Sequence, residues 1–197
     1  MSAIHERRER ERAHRHQLIV TAARELAEAE GWDAVTTRRL ADRVEYSQPV
    51  LYSHFNGKDA IVSAVALDGF SELGAHLRRA REAAPGRGEA LRAVCNAYLE
   101  FATGRPALYQ AMFVLPTDLK FASTETPPPL RTAFDEFVSC FRPDNDRREL
   151  FAEVVWSALH GMAVLSDSGR IPPAGQEERL DFLISRISDT HSGPTTP

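Results

Sequence analysis

Residues 35–58 constrain this chain more than any other stretch. In Val35-Thr36-Thr37-Arg38-Arg39-Leu40-Ala41-Asp42-Arg43-Val44, the apolar residues Leu40, Ala41 and Val44 share one helical face. Ala41 is small enough for another helix to cross closely. After Glu45-Tyr46, Ser47 is placed to cap a new start, and Pro49 is tolerated there because first-turn N–H groups have no intrahelical partner. Val50, Leu51 and Phe55 then point inward and Gln48, Tyr52, Ser53 and His54 outward, before Asn56-Gly57 stops the helix. Neither helix is long enough to stand alone. A short helix presenting hydrogen-bonding and aromatic groups outward suits a DNA major groove, so the spacing predicts a helix-turn-helix.

A nucleic-acid reading must survive the charge. The 197 residues carry a formal net charge of −4, which alone argues against a polyanion partner. The first sixty residues are balanced, however, with arginines gathered at Arg7, Arg8, Arg10, Arg12 and Arg15, and the acidic excess lies beyond them. One basic face is enough for binding. The arginine run either tracks the minor groove or solvates a frayed helix end. No apolar run approaches the roughly 20 residues of a membrane span, and the charged N-terminus lacks the apolar stretch of a signal peptide. With only Cys95 and Cys140, both among apolar residues, a disulfide framework is not indicated, and packed thiols in a reducing cytoplasm are expected.

Helical periodicity runs through the rest. A first helix is expected over about 8–30, with Ile19, Ala22, Ala23, Leu26 and Ala27 on one stripe, and Trp32 and Val35 anchor the loop that follows. Later helices are expected from Lys58 to the Pro85-Gly86 break, then over about 89–103, 107–115, 127–142, 147–168 and 176–187. The fold class is therefore all-α, with about nine helices and no convincing strand. The expected division is a DNA-binding domain at 1–57 with a basic arm at 1–15, a helical regulatory and dimerisation domain at 58–190, and a disordered tail at 191–197. The stripe Leu180, Leu183, Ile184 and Ile187, with a preceding helix apolar nearly all round, predicts a homodimer through a four-helix bundle.

Thr36-Thr37-Arg38-Arg39-Leu40-Ala41, followed by Leu51-Tyr52-Ser53-His54-Phe55-Asn56-Gly57-Lys58-Asp59, resembles the DNA-binding signature of the TetR family of bacterial regulators over about residues 14–62. Arg105-Pro106-Ala107-Leu108-Tyr109-Gln110-Ala111-Met112-Phe113 and Trp156-Ser157-Ala158-Leu159-His160-Gly161 resemble the subgroup named for its Trp-His-Gly motif. The family often has Gly-Val where Glu45-Tyr46 stands here, so this turn is expected to be tight or slightly strained. The resemblance implies a regulator, most simply a repressor, released from double-stranded operator DNA by a small molecule. Thr36 and Thr37, at a helix N-terminus, would hold a phosphate, and Arg38 would reach either the backbone or a base edge. Gln48 would read adenine, and Pro49 and Val50 would touch a thymine methyl. Tyr52, His54 and Lys58 would clamp phosphates, the alternative being that Tyr52 and His54 brace the helices.

The aromatic supply of the second half suits a largely apolar effector, neutral or weakly anionic, contacted by Tyr98, Tyr109, Met112, Phe113, Phe137, Trp156 and His160. Arg105 and Gln110 are possible polar anchors, and Glu100 and Glu153 are expected to face solvent. His160 alone would read as a satisfied core histidine. His14 and His16 point to different faces of a helix and do not suggest a metal site. No cofactor is expected. No nucleophile elbow, P-loop or dinucleotide fingerprint occurs, so an enzyme or carrier that kept the motif as scaffold is the weak alternative, and a regulator answering to a protein partner the stronger one.

Overall fold

The computed structural model describes residues 3–189, and the expected tail at 191–197 lies outside them. Among the described residues every regular element is helical. The chain begins with α1 (Ala3–Glu30), a 28-residue helix that starts five residues earlier than the apolar stripe suggests. Its first turns contain Glu and Arg, good helix formers that need no core contact. Gly31 ends it at φ +82°, a backbone conformation that glycine adopts without steric cost. A 3-10 turn (Trp32–Ala34) leads to α2 (Thr37–Arg43) and α3 (Gln48–His54). Then come α4 (Lys58–Ala83), α5 (Arg87–Gly104), α6 (Pro106–Phe113), α7 (Pro128–Val138), α8 (Arg148–Asp167) and α9 (Gln176–Asp189). α7 stops four residues short of its expected end, and a turn carries the buried Cys140 and Phe141.

Packing divides the chain into two units, one of residues up to Gly69 with Arg105–Pro127, the other of Phe70–Gly104 with Pro128 onward. In the first, Ile19, Ala22, Ala23, Leu26 and Ala27 of α1 are all buried, together with Trp32, Val35, Leu40, Ala41, Leu51 and Phe55. Short α6 is docked by two long-range devices. The Glu28 carboxylate accepts from Ala107 N at 3.2 Å and Leu108 N at 3.0 Å, and Trp32 Nε1 donates to Ala107 O at 2.7 Å. Pro106, without an N–H, heads the helix, so Glu28 supplies the cap its own sequence lacks. Gly69 lets α6 approach α4: a Cβ there would stand 2.7 Å from Met112 Sδ.

The second unit buries Tyr98, Leu99, Phe101, Phe137, Ala152, Val155, Leu159 and Leu180. Its one buried charge among the described residues, Glu136, is 4% exposed and binds Arg78 Nε at 2.9 Å and Arg81 Nε at 2.8 Å, tying α7 to the end of α4. α4 is long and apolar enough to match a membrane span, but half of that window is buried by other parts of the protein, as in a core helix. Cys95 and Cys140 are buried, and burial pushes both thiols up to about 12, so neither is a thiolate near neutral pH.

Candidate nucleic-acid interface

The α2–α3 segment matches its expected boundaries to within a residue. Thr36 caps α2, its Oγ1 accepting from Arg39 N at 3.2 Å. Ser47 occupies the cap position of α3 without making a side-chain cap bond, and its carbonyl accepts from Val50 N and Leu51 N instead. Between the helices, Glu45 takes φ +56°. Tyr46 N reaches back to Ala41 O at 3.0 Å and Glu45 N to Asp42 O at 3.4 Å, the paired bonds of a Schellman ending with glutamate at the glycine position. The strain expected of this turn therefore has a definite location.

Sequence pattern alone cannot sort the cations of this segment; the fold does. Arg39 forms a fork with Glu30 of α1, at 2.7 and 2.9 Å, and Arg43 binds Glu25 at 2.9 Å. Lys58 Nζ donates to the Trp32 carbonyl, so this expected phosphate clamp also braces the loop after α1. Arg38, by contrast, is exposed with no salt bridge or hydrogen bond among the described residues. Gln48 and Pro49 are exposed, Tyr52 is 56% exposed, and Thr37 and Val50 are half-buried. Thr36, Arg38, Gln48, Pro49 and Tyr52 thus combine exposure with freedom from the core. Half-buried His54 has its pKa lowered by burial and then by the positive charges of Arg12, His16 and Arg15. No set of three potential metal ligands occurs among the described residues.

The seven expected effector residues fall into two groups. Tyr109, Met112 and Phe113 belong to the first unit, with Met112 1% exposed and packed at Gly69, and the Tyr109 and Phe113 rings 4.8 Å apart. Tyr98, Phe137, Trp156 and His160 belong to the second. There Trp156 Nε1 donates to Tyr98 Oη at 3.2 Å, and the Tyr98 and Phe137 rings meet edge-on at 5.8 Å. Phe134 packs on Trp156 in the same way at 6.1 Å. Half-buried His160 has its pKa lowered by burial. Glu100 and Glu153 are exposed, as their register implied. His76 escaped the sequence reading: its Nε2 is buried without a protein partner, and its ring lies 6.4 Å from Phe101. Nothing local marks it, because the Phe101 ring beside it belongs to the following helix, α5.

A family model described as bacterial regulatory proteins of the tetR family matches residues 19–65, and one described as a tetracyclin repressor-like C-terminal domain matches residues 91–187. An uncharacterised helix-turn-helix-type transcriptional regulator of Mycobacterium tuberculosis is 28% identical over 184 residues, 89% of this chain and 83% of that protein. Another from Bacillus subtilis is 32% identical over 96 residues, 48% of this chain, and the match spans only 49% of that relative. Among solved structures, a TetR variant from Acinetobacter baumannii in complex with minocycline shares the fold, with a TM-score of 0.62 and 20% identity over 89% of this chain and 97% of that one. The two family models together span well over half the sequence, and their order matches the helix-turn-helix followed by a helical second part: the chain belongs to the TetR family of DNA-binding transcriptional regulators.

Proposed function

We propose that this regulator is a homodimeric cytoplasmic repressor that leaves its operator when a small, mostly apolar effector binds. One observation carries the DNA placement: Arg38, Gln48 and Tyr52 are exposed on α2 and α3 while neighbouring Arg39 and Arg43 are tied to α1. Gln48, Pro49 and Val50 would read bases. Thr36, Thr37, Arg38, Tyr52, His54 and the remaining donors of Lys58 would hold phosphates. In this reading residues 1–57 bind DNA and 58–190 regulate and dimerise.

The effector would contact Tyr98, Phe137, Trp156 and His160 of the second unit; Tyr109, Met112 and Phe113, expected from the sequence to touch it as well, belong to the first unit. The aromatic contacts of Tyr98, Phe137 and Trp156, the partnerless His76 Nε2, and the likeness to a repressor solved with minocycline support this. Trp156 and His160, one turn apart on α8, also support membership of the Trp-His-Gly subgroup. The effector would favour a dimer geometry whose recognition helices no longer match successive grooves.

The dimer face differs in detail from the expected stripe. Leu180 and Ile187 are buried within one chain, whereas Leu150, Val154 and Leu165 of α8 and Phe182 of α9 (64% exposed) remain uncovered. Val154→Glu with Phe182→Glu should therefore yield a folded monomer by sedimentation, and a dimer that survives both changes places the interface elsewhere. Footprinting upstream of the protein's own gene, paired with a thermal-shift screen of metabolites, tests the whole reading. A compound that raises the melting temperature and lowers operator affinity supports it. Operator binding that no small molecule affects, but a protein partner does, selects the partner-controlled alternative.

A further inference from the structure

The first four turns of α1 reach beyond the core: residues 4–15 are exposed without exception, and yet helical. Their charges look balanced in sequence, but the structure sorts them. His5 pairs with Glu9 at 3.1 Å and Arg7 with Glu11 at 3.4 Å, one turn apart. Arg10, Arg12 and Arg15 have no carboxylate partner among the described residues. Two of them face the turn before α3: Arg10, Glu11, His14, Arg15 and Tyr46 line an open cleft of about 400 Å3. The same part of α1 also flanks the other end of α3. His16 stacks on Phe55 with ring centroids 4.4 Å apart and lies 6.5 Å from His54, whose titration registers the charges of Arg12 and Arg15.

We propose that Arg10, Arg12, His14 and Arg15, with the Tyr46 hydroxyl, form a phosphate-binding strip that grips the backbone of duplex DNA beside the groove entered by α3. The proposal rests on the placement of α3 at DNA given above. Three arguments lead to duplex DNA rather than a free anion. The strip is continuous with both ends of α3. Its cations are spread along a helix rather than converged on one point. It also lacks the enclosure that a small anion needs to displace its hydration. Glu11 is the one acid in the cleft and opposes an anion, although its pairing with Arg7 weakens the opposition. A rigid helix, unlike a loose arm, holds these arginines at fixed spacing and loses little freedom on binding.

The experiment measures binding of the full chain to a short labelled duplex of arbitrary sequence by fluorescence anisotropy, between roughly 50 and 200 mM salt. The combined variant Arg10→Gln, Arg12→Gln, Arg15→Gln should weaken binding about tenfold or more, equally for all sequences. It should flatten the slope of log affinity against log salt by about 2 to 3. Glu11→Gln should act in the opposite direction and tighten binding. All four side chains are exposed, so melting temperatures should stay close to wild type, and circular dichroism checks that the helix survives. An unchanged salt slope in the triple variant overturns the strip, and if Gln48→Ala still weakens operator binding, the placement of α3 stands without it. No duplex binding by the wild-type chain overturns both. Inorganic pyrophosphate that perturbs His14 resonances while the duplex salt slope is unaffected by the arginine changes overturns the DNA reading in favour of a free anion.

Discussion

The α2–α3 segment and the aromatic interior of the second unit differ in how their side chains divide. Around α3, inward Leu51 and Phe55 are 1% and 5% exposed while outward Tyr52 is 56% exposed, so the core and the proposed interface use different residues and different chemistry. Among α5, α7 and α8, Tyr98 and Phe137 are both packed in the core and proposed to touch the effector. An interface on the outside of a fold can be read from residue type. One inside the fold uses the same apolar side chains that hold it together.

The comparison is broken most severely at Trp32, a core residue of the first unit that lies just before α2 and holds α6. Trp32→Ala removes a buried ring and its bond to Ala107 O. It should cost about 3–5 kcal/mol in urea unfolding. A loss below ~1 kcal/mol would mean that Glu28 docks α6 alone. Next in size, Gln48→Ala should cost about 1–3 kcal/mol of operator binding and relax base preference at one position, with folding stability unchanged. Equal loss on every sequence would make Gln48 a backbone contact.

A smaller effect is expected at the turn between the two short helices. Glu45→Gly relieves a left-handed residue at φ +56° but gives the unfolded chain more freedom, so the net gain should be about 0.5–1 kcal/mol. A destabilised glycine variant, measured by denaturant midpoint, would show that the Glu45 side chain holds the turn in a way its backbone does not reveal.

The smallest effect separates the two regions by pH. Burial lowers the pKa of both His54 and His160 from the ordinary 6.5, so below that value the unfolded chain binds more protons than the folded one. The stability they contribute is present above about pH 6.5 and is lost as pH falls below it. Only His54 also answers to nearby cations. Added salt should therefore raise the midpoint of His54 in an NMR titration and leave that of His160 in place. Parallel movement of both would show that Arg12 and Arg15 do not act on His54.

Much of this protein was legible in the sequence, because helical periodicity, caps and breakers are local signals. They located the two short helices, the glycine ends at Gly31 and Gly57, and the order of the longer helices. Glu45, where the family often has glycine, announced a tight or slightly strained turn, and the structure adds that its φ is +56°. The residue types proposed to face DNA come from the same few turns.

Pairing between distant segments had no such signal. Arg38 and Arg39 are adjacent and chemically identical, yet only Arg39 meets Glu30. The cap on α6 comes from Glu28, about eighty residues earlier, and Lys58 reaches the carbonyl of Trp32. The partnerless nitrogen of His76, and Arg10, Arg12 and Arg15 without a carboxylate partner among the described residues, emerged only once their surroundings were assembled. Local sequence therefore determined where the helices form and which faces are apolar, since backbone hydrogen bonding and side-chain spacing act within a turn or two. Tertiary structure decided which charges are neutralised and which remain for a partner, because that depends on which atoms, however distant in the chain, arrive within hydrogen-bonding range.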